Sequence, residues 1–385
     1  MVVPGGFRQG FRAVMQRFLP RSGLLLTLAL SLAVAPAWAQ QDVFVATGVP
    51  VDITGDLATL REQAMLQAQR DAFRKVLTEI APAQDVATLT LPPDDQLTAW
   101  VQDFEIESEK TSASRYIGRF TFRFMAEPVR QFLSESGVSF AETTSKPVLV
   151  LPIYTDDTGT TELWGPTNLW MSTWAARPSA PGLVPILAPR GDLDDSNTIS
   201  ATQALAGDQA RIETLAQRYN AGDVMVAEAT MSLPTPDGRR SLALSVTRYG
   251  AEGTQTFKDQ IEGDAANIDQ MMRDGVEKVA SIVQNAWKDQ NLIDPNQRQQ
   301  VSIHVPVTDL SQWVAVKRHL GMVSSIKGVN LLELSRSGAD IEVTYVGDEA
   351  QFIRALAQAD LLMTDSGEGQ ATITLAPGAA QPVQP

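Results

Sequence analysis

Residues 59–80 read TLREQAMLQAQRDAFRKVLTEI, and Leu60, Ala64, Ala68, Ala72, Val76 and Ile80 fall on every fourth position. A stripe with that spacing predicts a helix with one buried side, which Phe73 and Leu77 widen into a face. Three alanines in the row let such a helix lie close against a sheet. Thr59 and Glu62 stand at capping-box spacing at its start, and Pro82 ends it. Upstream, Val43, Val45, Val49, Val51 and Ile53 alternate as an edge-like strand, interrupted at Thr47. Downstream, an irregular acidic segment with Pro92-Pro93 precedes strand-like runs at Phe104–Ser108 and Tyr116–Met125. In the second run Phe120, Phe122 and Phe124 share one face while Thr121 and Arg123 share the other. A short helix from Glu127 to Ser136, stopped by Gly137, completes a β-α-β-β-α module over residues 43–140.

Beyond a polar linker at Ala141–Lys146, the run Val148-Leu149-Val150-Leu151-Pro152-Ile153 suits a buried central strand. It opens a second, α/β module over residues 146–294. A tryptophan-bearing segment from Trp164 to Trp174 follows, then an apolar stretch at Leu183–Leu187. Asp208 is placed to cap a helix carrying Ile212, Leu215, Ala216 and Tyr219 on one side. Val224–Met231, Ser241–Val246 and Thr254–Ile261 read as three antiparallel strands, with a tight turn at Pro236-Asp237-Gly238. A long amphipathic helix from Asp264 to Trp287 closes the module. Over residues 299–376 the order is β-α-β-β-α-β, the split βαβ plan of a ferredoxin-like sandwich, with its last strand at Ile373–Leu375. The fold class expected is therefore α+β, three small modules in a row. The tail 377–385, built of Pro, Ala, Gln, Gly and Val, is expected to be disordered.

The amino terminus has the three-part layout of a secretory signal. Arg8, Arg12, Arg17 and Arg21 precede an apolar run from Leu24 to Val34, and Pro36 leads to Ala37-Trp38-Ala39. Cleavage is expected after Ala39, releasing the chain into the periplasm; the alternative is an uncleaved tether, though the run is shorter than a span of ~20 apolar residues. No later segment is long and apolar enough to span a bilayer, and no Cys follows the cut to carry a lipid anchor. The full chain carries a formal charge of -14 and no cysteine. The acidic excess repels phosphate backbones, so nucleic acid is not an expected partner, and disulfides and thiolate chemistry are ruled out.

Three stretches together carry a resemblance: Arg61-Glu-Gln-Ala64 running into Ala72-Phe-Arg-Lys-Val-Leu77, Gly191-Asp-Leu-Asp-Asp195, and Leu215-Ala-Gln-Arg-Tyr219 before a Val-rich strand. With them the mature chain resembles, over most of its length, the exported Gram-negative proteins catalogued as domain of unknown function 2066 (DUF2066). The opening strand Val148–Pro152, a helix, then Asp223-Val-Met-Val-Ala-Glu228 and a hairpin are similar, at the level of fold, to the amino-terminal domain of TolB and to CsgG-like periplasmic domains. Those relatives act in envelope assembly and scaffolding, so the likeness implies a binding role with envelope proteins as partners.

Candidate sites are few. The two histidines, His304 and His319, lie far apart with no neighbouring His or Cys, which leaves a zinc site or a Ser-His-Asp triad little to draw on. Asp194 and Asp195, within Asp192–Asn197, offer oxygen ligands that suit Ca²⁺, but they lack an EF-hand's Gly and distant Glu, so a capped turn is the favoured reading. Asp156 and Asp157 are read as turn residues. Trp164, Trp170 and Trp174 form the richest aromatic cluster; as an exposed group, with Asp194 and Asp195, they would make a ligand or partner surface. Core packing under a sheet is the favoured reading of the tryptophans. No phosphate loop, nucleophile elbow or metalloprotease motif is present, and no cofactor or metal is expected. The reading is a non-catalytic binding or scaffolding protein; the alternatives are a carboxylate-dependent hydrolase of envelope polymer and a sugar- or muropeptide-binding module.

Overall fold

The computed structural model describes residues 43–251, 253–294, 296–335, 337–365 and 371–377. The signal read over residues 1–39 and nearly all of the tail 377–385 lie outside the described residues. The described chain is α+β, with mixed sheets and helices layered on them.

The first module contains β1 (Val45–Thr54), α1 (Leu57–Ile80), α2 (Ala83–Thr88), α3 (Asp94–Trp100), β2 (Val101–Thr111), β3 (Arg115–Phe124) and α4 (Ala126–Glu135). Its antiparallel sheet has the order β1-β3-β2. The four-residue stripe of α1, from Leu60 to Ile80, is fully buried against that sheet, and the inward ring row of β3 meets it, with Phe73 edge-on to Phe124 at 5.2 Å. The break at Thr47 is a register shift between Ala46 and Val49, where Gly48 takes φ 66°. α1 starts earlier than the capping box predicts: Asp56, extended just after the strand, accepts from Ala58 N at 3.2 Å. The acidic segment read as irregular folds into the two short helices α2 and α3.

The second module contains β4 (Val148–Thr155), β5 (Thr161–Glu162), α5 (Leu169–Ala176), β6 (Ile186–Leu187), α6 (Leu193–Thr198), α7 (Ala201–Leu205), α8 (Gln209–Arg218), β7 (Asp223–Met231), β8 (Arg239–Gly250), β9 (Gly253–Asp264) and α9 (Ile268–Gln290). The sheet runs β5-β4-β7-β8-β9, with β6 also on β4 and with β4 parallel to β7. Strand β4 is covered on both sides: Val148 and Val150 face the core beneath α5 and α9, while Leu149, Leu151 and Ile153 face the one beneath α8. That explains its unbroken apolar run.

The first of those cores is continuous with the core of the first module, so α1 and α9 pack over one shared interior. The segment Ala141–Lys146, read as a linker from its polarity, is a packed strap across this junction. Ala141 N donates to Ile80 O at 2.8 Å, Trp287 Nε1 donates to Thr143 O at 2.6 Å, and Ser145 N donates to Leu183 O at 2.8 Å. Polar residues are tolerated there because these backbone groups find partners, with Lys146 N donating to Gln358 Oε1 at 2.6 Å as well.

The last module contains β10 (Arg298–Val305), α10 (Leu310–Leu320), β11 (Ile326–Leu334), β12 (Ala339–Val346), α11 (Glu349–Gln358), β13 (Leu361–Asp365) and β14 (Ala371–Leu375), around a core of its own. The split βαβ plan is present with one strand more than the sequence reading predicts. β13 forms a hairpin with β14, and the reversal brings β14 beside β10 in parallel, giving the order β11-β12-β10-β14-β13. The module is held to the rest by Lys146 Nζ to Asp360 at 2.6 Å, Gln351 Nε2 to Leu292 O at 2.6 Å, and Arg354 to Gln290 O at 2.7 Å. No helix of the described residues is long and apolar enough to cross a membrane.

Candidate functional site

The aromatic and acidic residues singled out in the sequence lie mostly in the interior and on two sides of one sheet, Trp170 and Trp174 in the core under α9 and Trp164 against the core under α8. Trp170 and Trp174, four apart on α5, stack edge to face at 5.8 Å and are 0% and 3% exposed. Trp170 donates its indole N–H to Ala227 O at 2.9 Å, which pins α5 to β7. Both rings are core, because the face they share is the face α5 turns to the sheet, and this corrects their assignment to a partner surface. Trp164 is half-buried and donates to Ile199 O, just past α6, at 2.6 Å.

Asp194 and Asp195 part company. Asp195 is fully buried; it accepts from Tyr219 Oη at 2.6 Å and from Gly191 N at 2.9 Å. Asp194 remains largely solvent-facing, 2.9 Å from Arg218. Arg218 also reaches Asp192 at 2.7 Å and Asp195 at 3.2 Å, so its guanidinium stands among the three carboxylates where a cation would otherwise sit. Burial and the Asp195 carboxylate push the Tyr219 hydroxyl up to about 12. Position 191 favours Gly, because φ is +66° and a Cβ there would push aside the end of the Met171 side chain. The cluster locks the α6–α8 corner rather than presenting a surface.

His304 pairs with Asp340 across β10 and β12 at 2.7 Å, and His319 is buried against Ala359 O at 2.7 Å. Asp156 accepts from Thr158 and Thr160 in a tight turn, bonds that hold its carboxyl below the usual carboxylate range. Asp157 binds Arg240 at 2.7 Å.

An open edge of the last sheet is the surface that sequence reading missed. β11 pairs on one side with β12, and its other side carries no strand among the described residues. Along it Val329 is 37%, Leu331 49%, Leu332 62% and Leu334 49% exposed. The register shifts between Leu331 and Glu333, so Leu332 is an extra residue and two leucines in succession stand out from the sheet. Two other long edges, β2 and β9, are guarded. The exposed positions of β2 carry Asp103, Glu105, Glu107, Glu109 and Lys110, and those of β9 carry Lys258, Glu262 and Asp264. Charge on an edge deters pairing with other chains; bare leucines do not. The apolar run at 329–334 was visible in the sequence, but nothing local distinguishes a covered hairpin strand from a bare one.

No family model matches this chain, and no curated protein matches it. Among solved structures, the lipoprotein GNA1162 from Neisseria meningitidis is similar over 36% of this chain and 99% of its own, at 14% identity and a TM-score of 0.25. An uncharacterised protein is similar over 39% of this chain and 90% of its own, at 8% identity and a TM-score of 0.17. A formyltetrahydrofolate deformylase from Pseudomonas putida KT2440 is similar over 63% of this chain and 95% of its own, at 10% identity and a TM-score of 0.17.

Proposed function

We propose that this chain is an exported protein of the Gram-negative envelope, of the kind catalogued as domain of unknown function 2066, and that it works in the periplasm by binding another polypeptide. The observation that carries the reading is the apolar edge β11, whose exposed leucines contrast with the charged edges β2 and β9. An extended segment laid along β11 would continue the sheet, with main-chain hydrogen bonds worth about 0.5–1.5 kcal/mol each and cover for the leucines. With the whole chain at -14, the expected partner segment alternates apolar residues with Lys or Arg.

The test is in-cell photo-crosslinking from a probe at Asn330 or Glu333, read by mass spectrometry, in the parent and in Leu331→Lys/Leu332→Lys. A defined partner peptide that disappears in the double variant, at unchanged melting temperature, supports the reading. No specific partner, or one indifferent to the leucines, overturns it.

A further inference from the structure

A cleft of about 380 Å³ opens where α4 and the strap meet the last sheet. α4 contributes Glu127, Arg130 and Glu135, the last accepting from Gln131 at 2.7 Å, the strap Glu142, and the last module Arg298, Ser325 and Lys327, with Phe140, Ile293 and Val346 as the apolar lining. The junction is structured, since Phe140 and Ile293 pair as an antiparallel bridge.

The charges within it are unevenly matched. Arg130 is occupied: it binds Glu142 at 2.7 Å and Glu127 at 3.3 Å, and its guanidinium lies 5.5 Å from the Phe44 ring centre. The other two cations have no carboxylate partner among the described residues. Lys327 Nζ donates to the carbonyl of Ser324 at 3.1 Å, and the Arg298 guanidinium has neither a hydrogen bond nor an ion pair among the described residues. They lie close enough to feel each other. Desolvation by the cleft holds the Lys327 ammonium below its usual range, the acids Glu142 and Glu127 work against that, and Arg130 and Arg298 add to it. The third feature is independent of charge. Ser325 is 2% exposed, and its Oγ has no hydrogen-bond partner. A buried hydroxyl left unpaired costs about 1–3 kcal/mol, a cost that a bound acceptor would remove.

Two unmatched cations, an unpaired buried donor and an apolar lining are complementary to one kind of molecule. We propose that this cleft binds a small amphiphilic organic anion, its carboxylate or phosphate held by Arg298, Lys327 and Ser325 Oγ, its apolar part against Phe140, Ile293 and Val346. Arg298 supplies a planar pair of donors to the oxyanion and Lys327 a point charge. The volume is at the small end of ligand pockets and suits a short chain rather than a polymer.

Isothermal titration of the whole protein at 150 mM salt tests this, with sodium octanoate in one arm and monomeric dihexanoyl phosphatidate in the other. Saturable one-to-one binding of octanoate alone identifies a carboxylate ligand, and of phosphatidate alone a phosphate headgroup; either supports the site. Affinity should fall tenfold or more in Arg298→Gln/Lys327→Gln and severalfold in Ser325→Ala. Melting temperature should hold, because neither cation has an ion-pair partner to lose. Silence in both arms, or binding unchanged in the variants, overturns it.

Discussion

Replacing Glu79 with Gln should make this protein more stable, and increasingly so as pH rises. Glu79 lies in the last turn of α1, where that helix packs near α9, and its Oε2 is buried without a hydrogen-bond partner. The nearby buried ammonium of Lys288 donates to Thr78 O at 2.8 Å instead. Burial outweighs the attraction of Lys75 and Lys288 and raises the carboxyl from 4.5 to about 7. A carboxyl with a raised folded-state pKa binds its proton more tightly in the native chain. Its contribution is therefore neutral below the unfolded value of 4.5, turns destabilising as pH rises, and levels off above about 7. At about 1.4 kcal/mol per pH unit, that displacement corresponds to a ceiling of roughly 3 kcal/mol. Urea unfolding of the parent and Glu79→Gln should show the variant ahead by about 1 kcal/mol at pH 5.5 and by up to ~3 kcal/mol at pH 8.5. Equal stability across that range, or a weaker variant at pH 8.5, would refute the reasoning. It would mean that the attraction between Glu79 and Lys288 exceeds the desolvation of the carboxylate.

Three further outcomes are expected. Asp195→Ala leaves Arg218 and Tyr219 without their buried partner and should lose about 3–5 kcal/mol, whereas Asp194→Ala at the exposed neighbouring position should stay within about 0.5 kcal/mol; thermal melts of the pair distinguish them. Gly191→Ala imposes both a left-handed backbone at φ +66° and a clash with Met171, and should lower stability by about 1–3 kcal/mol in the same assay. Amino-terminal sequencing of the exported protein should begin at Gln40, and recovery of Leu24–Val34 on the mature chain would show a retained tether.

Much of the secondary structure could be read directly. The four-residue stripe of α1, the phenylalanine alternation of β3, the two-sided apolarity of β4 and the apolar side of α9 each form the element that their spacing predicts. The Ala64–Ala68–Ala72 row even foretold close approach to a sheet. The sites were far less legible. Trp170 and Trp174 offered the same spacing whether their shared face met solvent or β7, and Asp194 and Asp195 differ by one position yet by complete burial. Arg298, Ser325 and Lys327 carry no motif; they become a constellation only because α4, far earlier in the chain, closes over them.

The sequence by itself determined which side chains of a given helix or strand point the same way, because backbone geometry repeats every 3.6 or 2 residues whatever surrounds it. The tertiary structure decided what each of those faces meets. It merged the first two modules over one core, turned a polar linker into a packed strap, and reversed β14 beside β10. It also left β11 exposed and two cations outside any ion pair among the described residues, since burial and pairing depend on contacts between segments that no local pattern records.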